Sequence, residues 1–136
     1  YGHHPTEIKT TLAGLKAAMP KRRVIALFQP HRYSRTKHLM TDFAKSFYDA
    51  DLVLVSNIYA AGEKPMADVS AEVLAKQLMD FGHKNAQAVG RLDDAVSRLV
   101  DLVQPQDIVI TLGAGDVTKT GPQLVERLTE GAERKG

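Results

Sequence analysis

The chain has 136 residues, 43% hydrophobic and 25% charged, with a formal net charge of +2. That is one domain's worth of ordinary globular composition, and the charge surplus is too small to imply a nucleic-acid or membrane partner. The absence of cysteine excludes disulfides and thiolate metal sites, and no apolar stretch approaches the roughly 20 residues that a membrane-spanning helix needs.

The first residues, Tyr1-Gly2-His3-His4-Pro5, carry no signal-peptide pattern and no initiator methionine. The chain reads as a piece cut from something longer. Residues 5–19 place Ile8, Leu12 and Leu15 on one helical face, with Pro5 suited to the first turn. Val24 to Phe28 is a short apolar run of buried-strand type. Helical spacing returns over 36–50 through Leu39, Phe43 and Phe47, and a second strand is expected over 52–57. Ser70 can cap a helix carrying Val73, Leu74, Leu78 and Phe81, which Gly82 stops. A weak strand at 86–89 is followed by a helix capped by Asp93 and closed by Pro105. The last strand, 108–112, runs into glycines, and a helix from about Pro122 to Glu130 precedes a charged tail expected to fray.

Strands apolar throughout, alternating with amphipathic helices, predict an α/β domain with a mostly parallel sheet and helices on both faces. The first and last strands are expected to be adjacent near its centre. Ligands in such sheets bind beyond the carboxyl ends of the strands. The first strand delivers His31, Arg32 and Arg35 there, the second Asn57, Tyr59 and Glu63, and the last Gly113, Gly115 and Asp116. The opposite ends carry turn residues such as Pro20-Lys21 and Gln104-Pro105-Gln106. The stretch 60–69 is long enough to be a binding loop.

Two guanidiniums at a strand exit, just before a helix N-terminus, suit a carboxylate or phosphate. Spacing alone leaves a second reading open, in which Arg32 and Arg35 are solvated or pair with Asp42 and Asp49. The GAGD stretch fails as a dinucleotide motif, because Thr118 stands where the third glycine belongs and the stretch follows the last strand. No phosphate loop of the G-x-x-x-x-G-K-[ST] type occurs. Adjacent His3 and His4 lack companions for a metal site. One of them is expected to cap the first helix while the other points into the cleft, and His38 and His83 are read as surface residues.

Four ordered motifs carry a resemblance: YGHHPTEI at 1–8, FQPHRYSRT at 28–36, NIYAAGE at 57–63 and TLGAGD at 111–116. Together they resemble the C-terminal domain of the Mur ligase family of peptidoglycan synthesis, in the branch that joins L-alanine to UDP-N-acetylmuramate. The branch that recycles murein tripeptide shares the histidine-proline motif but is less similar through FQPHRYSRT. The resemblance implies that 1–136 is the amino-acid-binding, Rossmann-like three-layer domain of a three-domain cytoplasmic ATP-dependent ligase. The UDP-binding first domain and the central domain, which would hold most of the contacts to ATP and Mg2+, would lie outside this chain. L-Alanine, UDP-N-acetylmuramate and those domains are the implied partners.

By motif position, the implied substrate-binding residues are Tyr1, His3, His31, Arg32 and Arg35. Tyr59, Glu63, Gly113, Gly115 and Asp116 are rim residues, and neither a catalytic group nor a metal ligand is implied here. Three departures stand out. The family's acidic residues immediately before the tyrosine, one of them tied to nucleotide binding, would lie just ahead of Tyr1, where this chain begins, the usual tyrosine-proline-alanine-glycine-glutamate turn has Ala60 in place of proline, and the loop from Lys64 to Ser70 is shorter than is common. Outside the family, a stand-alone anion-binding α/β module remains an alternative. A receiver-type module does not, because Gln29-Pro30-His31 replaces the acidic pair it would need.

Overall fold

Five apolar residues with no exposed side chain form β1 (Val24–Phe28). The computed structural model, which describes residues 4–135, pairs β1 along both edges. β2 (Leu52–Ser56) lies on one side and β4 (Ile108–Leu112) on the other, and β3 (Ala86–Gly90) completes a parallel sheet of order β3-β2-β1-β4. Successive side chains of a strand point to opposite faces, so β1 feeds two cores. Val24, Ala26 and Phe28, with Val53 and Val55, pack beneath α1 (Pro5–Ala18), α3 (Met40–Ala44) and α4 (Ala71–Asp80). Ile25 and Leu27, with Leu52 and Leu54, meet α5 (Leu92–Leu102) and α6 (Thr120–Lys135) through Ala95, Leu99 and Leu124. The expected three-layer α/β sandwich is therefore the observed one.

Phe28 anchors the first core, with its ring centroid 5.1 Å from Phe43 and 5.2 Å from Phe47. Two caps match the sequence expectation: His4 Nδ1 accepts the Thr6 N–H at the start of α1, and Ser70 Oγ accepts the Val73 N–H at the start of α4. Gly82, at φ +99°, ends α4 in the left-handed region that favours glycine.

The structure corrects several expectations. The helix expected over 36–50 is two short ones, α2 (Tyr33–His38) and α3, with the break at Leu39. Thr36 Oγ1 bonds back to Arg32 O at 2.7 Å, a contact that competes with helix continuation and bends it before Leu39, and Ser46 Oγ bonds back to Asp42 O past the end of α3. Helix α5 begins one residue before Asp93, and Asp94 rather than Asp93 serves its first turn by accepting the Arg91 N–H. Helix α6 starts at Thr120 and extends through Lys135, beyond the expected fraying point. β4 neighbours β1 as expected but forms an edge of the four described strands, so only β1 and β2 are central.

His83 is buried, not a surface residue. Its Nδ1 accepts the Asn85 N–H, leaving Nε2 to donate to the carbonyls of Phe47 and Ala50 at 3.0 and 2.8 Å. The buried imidazole adds to the Ala50 N–H already on Phe47 O and gives Ala50 O a partner. A lone histidine after a glycine gave no sign of this in the sequence.

The amino ends of β1 and β4 are clamped by a charged pair. Arg23 Nη2 stands 2.5 Å from Asp107 Oδ2 and also donates to Leu102 O, while Asp107 accepts the Gln104 N–H. The Arg23 hydrogen bond holds the Asp107 carboxyl below its ordinary range, against the opposing effect of burial. A folded carboxyl that is the stronger acid stabilises fully above the unfolded value, about 3.9, and loses that contribution as pH falls through its lower folded value. Asp107→Asn is therefore expected to destabilise the chain by about 1–2 kcal/mol at pH 7. In urea unfolding, the difference from the unsubstituted chain should narrow as pH is lowered below about 4. An undiminished difference at low pH would contradict the ion-pair account.

Candidate functional site

Strand order places a reversal beside β1. The chain moves outward from β1 to β2 and β3, then crosses back to lay β4 on β1's other edge. Crevices at such reversals, beyond the carboxyl ends of the strands, are where open α/β sheets bind ligands. The segments leaving β1, β2 and β4 meet there and are tied to one another by backbone hydrogen bonds. Gln29 N–H donates to Leu112 O at 3.0 Å, Tyr59 N–H to Pro30 O at 2.9 Å, and Arg32 N–H to Tyr59 O at 2.8 Å. His31 and Tyr59 form one further parallel bridge, and their rings stack 9° from coplanar with centroids 5.5 Å apart.

The glycines of the β4 turn are required by this closeness. A Cβ on Gly113 would lie 2.8 Å from Val117 Cγ1 and 2.9 Å from Gln29 O, and its φ of +150° disfavours a side chain as well. A Cβ on Gly115 would come within 2.9 Å of Gln29 Oε1 and 3.3 Å of the Tyr59 ring. Gln29 is the buried hub: its Oε1 accepts the Val117 N–H, fixing the short 3-10 turn Asp116–Lys119 against β1.

Arg32 is exposed and Arg35 partly so. Among the described residues neither guanidinium makes a hydrogen bond or ion pair, so the alternative pairing with Asp42 and Asp49 is not adopted. Arg32 itself sits at φ +68°, a region unusual for a residue with a side chain. His31 titrates below the ordinary histidine range because it is partly buried and because Arg32 and Arg35 repel a further positive charge. The cluster thus offers two permanent cations beside an imidazole held neutral.

One expectation at this rim fails. The N-terminus of α2 is not open to an external anion, because Glu63 already fills it. Glu63 Oε1 accepts the Ser34 N–H at 3.1 Å and Oε2 accepts the Ser34 hydroxyl at 2.5 Å. These bonds, with help from the Arg32 charge, hold the Glu63 carboxyl below its usual range. The expected binding loop 60–69 is pinned to α2 a second time by Lys37 and Asp68, 3.0 Å apart.

Beside the arginine cluster, and separated from it by Tyr59, opens a cleft of about 370 Å³ lined by Gln29, Asn57, Tyr59, Arg91, Asp116 and Lys119, among others. The rim therefore gathers the expected residues: His31, Arg32, Arg35 and Glu63 at the arginine cluster, Asn57, Tyr59 and Asp116 on the cleft wall, and Gly113 and Gly115 packed against Gln29 between them. Tyr1 and His3 lie outside the described residues. Arg91 and Lys119 were missed by sequence reasoning. Arg91 follows the third strand at its carboxyl end, and the rule that found the other rim residues would have found it had 86–89 been weighted equally.

A family model described as Mur ligase, glutamate ligase domain, matches residues 1–115. The chain belongs to the Mur ligase family. It is 52% identical over 132 residues to a UDP-N-acetylmuramate–L-alanine ligase of Solibacter usitatus, and 49% identical over 128 residues to that of Geotalea uraniireducens. Those alignments cover 96% and 94% of this chain but 28% of each relative, so the chain spans little more than a quarter of their length. The fold is shared with a solved UDP-N-acetylmuramate-alanine ligase from Thermotoga maritima, at TM-score 0.71 and 26% identity over 96% of this chain and 26% of that one. It is also shared with a murein peptide ligase from Psychrobacter arcticus, at TM-score 0.74 and 22% identity, covering 94% and 26%. This Mur ligase domain should be intolerant of a side chain at its β4 turn. Gly113→Ala is expected to cost about 1–3 kcal/mol through overpacking and strain, whereas Gly14→Ala, in open space within α1, should stabilise by about 0.5–1 kcal/mol. Equal melting temperatures for the two variants would contradict the close packing of the rim.

Proposed function

We propose that this chain is the amino-acid-binding domain of an ATP-dependent ligase that joins L-alanine to UDP-N-acetylmuramate through an acyl phosphate. The UDP-binding and central ATP-binding domains would lie outside 1–136. The observation that carries this reading is the pair of guanidiniums, Arg32 and Arg35, held at the carboxyl rim of a Mur ligase domain with no partner among the described residues. The names of the relatives at about half identity support the alanine-adding branch over the tripeptide-recycling one.

The chain's own residues suit one part of that reaction. Negative charge on the amino-acid carboxylate, the muramoyl acyl phosphate or the tetrahedral oxyanion would meet Arg32 and Arg35, whose planar forks match such oxygens bidentately. His31, neutral at physiological pH, would add a hydrogen bond without adding charge. Tyr1 and His3 would approach the same reacting end, and Tyr59, Gly113, Gly115 and Asp116 would shape its wall.

The sequence has no phosphate loop, and among the described residues no group of three or more His, Asp or Glu side chains could hold a metal ion. ATP and Mg2+ are assigned mainly to the central domain, and the isolated chain should neither hydrolyse ATP nor ligate alanine. No described helix is long and apolar enough to cross a membrane, and a cytoplasmic location is proposed with the enzyme.

The test is to substitute Arg32 and Arg35 in the intact ligase and follow rate and melting together. Each Arg→Ala change should alter stability by no more than about 0.5 kcal/mol, because neither guanidinium has a described partner to lose. Turnover should fall on the order of a hundredfold, the usual cost of removing a charge-stabilising donor, with only partial recovery in Arg→Lys. Stability and rate falling in step would show that the arginines serve the fold instead.

A further inference from the structure

The contact that closes the α2 N-terminus spans 29 positions of sequence and has no obvious structural necessity, since the helix is only six residues long. Arg32, its N-cap, supplies no side-chain bond of its own. The first turn is therefore fixed from outside, by a carboxylate carried on the loop that follows β2. That loop makes a tight turn to bring Glu63 into place. Ala61 at φ +52° and Gly62 at φ +87° occupy its corner, and Glu63 N–H donates to Ala60 O. Both central residues thus have positive φ, an arrangement that needs a definite reason in a surface loop.

The recipient of this contact is the strained residue. Arg32 is held at φ +68° by its N–H on Tyr59 O and by its own carbonyl, which accepts both the Thr36 N–H and the Thr36 hydroxyl. Backbone strain of about 1–3 kcal/mol persists only where surrounding contacts over-determine it. Immediately after Arg32, Tyr33 and Ser34 start the helix that also carries Arg35. The Ser34 backbone held by Glu63 therefore sits between the two arginines in sequence. Its carboxylate, engaged by Ser34, makes no ion pair with either guanidinium among the described residues.

We propose that Glu63 is a positioning residue for the arginine cluster. Its carboxylate clamps Ser34, which fixes the start of α2 and thereby the backbone from which Arg32 and Arg35 project. This rests on the proposed role of Arg32 and Arg35 in ligation, and it adds a group that touches no substrate.

The test uses the intact ligase with Glu63→Gln, Glu63→Ala and Ser34→Ala, each also built into an Arg32→Ala/Arg35→Ala background. Misplacing a reacting group by about 1 Å can cost on the order of a hundredfold. Glu63→Ala should accordingly lower kcat by about tenfold to a hundredfold, with little change in melting temperature, and Glu63→Gln, whose amide oxygen can still accept the Ser34 N–H, should fall between it and the unsubstituted enzyme. Ser34→Ala, which keeps the backbone N–H contact, should lose less. In the double-arginine background the Glu63 changes should have no further effect, since the residues they position are gone. The proposal is overturned if the arginine changes cripple the enzyme while Glu63→Ala stays within twofold of the unsubstituted rate. It is equally overturned if the Glu63 loss persists undiminished in the double-arginine background, or if melting temperature falls in proportion to rate. An unimpaired Arg32→Ala/Arg35→Ala enzyme would instead sink the underlying reading of the arginines, and this proposal with it.

Discussion

β1 has no exposed side chain and no free edge, and its backbone pairing does not stop where the strand ends. Past Phe28 the chain continues to exchange hydrogen bonds with both neighbours, through Gln29 to Leu112 on one side and through Pro30 and Arg32 to Tyr59 on the other. A strand buried on both faces must pair both edges, because an unpaired buried amide costs as much as a lost hydrogen bond. Extending that pairing outward turns three loop beginnings into one frame. The glycines at 113 and 115 follow from it, since there is no room for a side chain between the β4 turn and Gln29.

The frame explains why charge can accumulate at this rim without being neutralised. At the other end of the sheet, Arg23 is paired with Asp107 and serves the fold. At the carboxyl end the nearby acid, Glu63, is turned to Ser34, and Arg32 and Arg35 are left without described partners. The two ends of β1 thus use the same residue type in opposite ways. His31, between the cations and the Tyr59 ring, is kept from adding a third positive charge by burial and by those neighbours. The adjoining cleft adds Arg91 and Lys119 together with Asp93 and Asp116, so its charges are balanced.

Much of this was legible in the sequence because apolar runs such as Val24 to Phe28 have no alternative but a buried strand, and because polar residues and glycines crowd one end of those runs. The positions of His31, Arg32, Tyr59, Gly113 and Asp116 at a common rim followed directly. What was not legible depends on contacts distant in sequence. Nothing near Glu63 signals that it caps a helix begun at Tyr33, and nothing near His83 signals two carbonyls from the turn before β2. The division of 36–50 into two helices was hidden for a local reason: the Thr36 hydroxyl bonds back to the previous turn, a choice that apolar spacing does not report.

On the proposed function, a frame built on β1 holds Arg32 and Arg35, which have no partner among the described residues, to receive a reacting anion. A crystal structure of the intact protein, the proposed ligase, bound to a phosphinate mimic of the tetrahedral intermediate tests this most directly. At least one of the two guanidiniums should lie within hydrogen-bond distance of the mimic's anionic oxygens, about 2.7–2.9 Å for a charged pair, with Glu63 still on Ser34. Both guanidiniums remaining in solvent, with the anion bound wholly by other groups, would contradict the account.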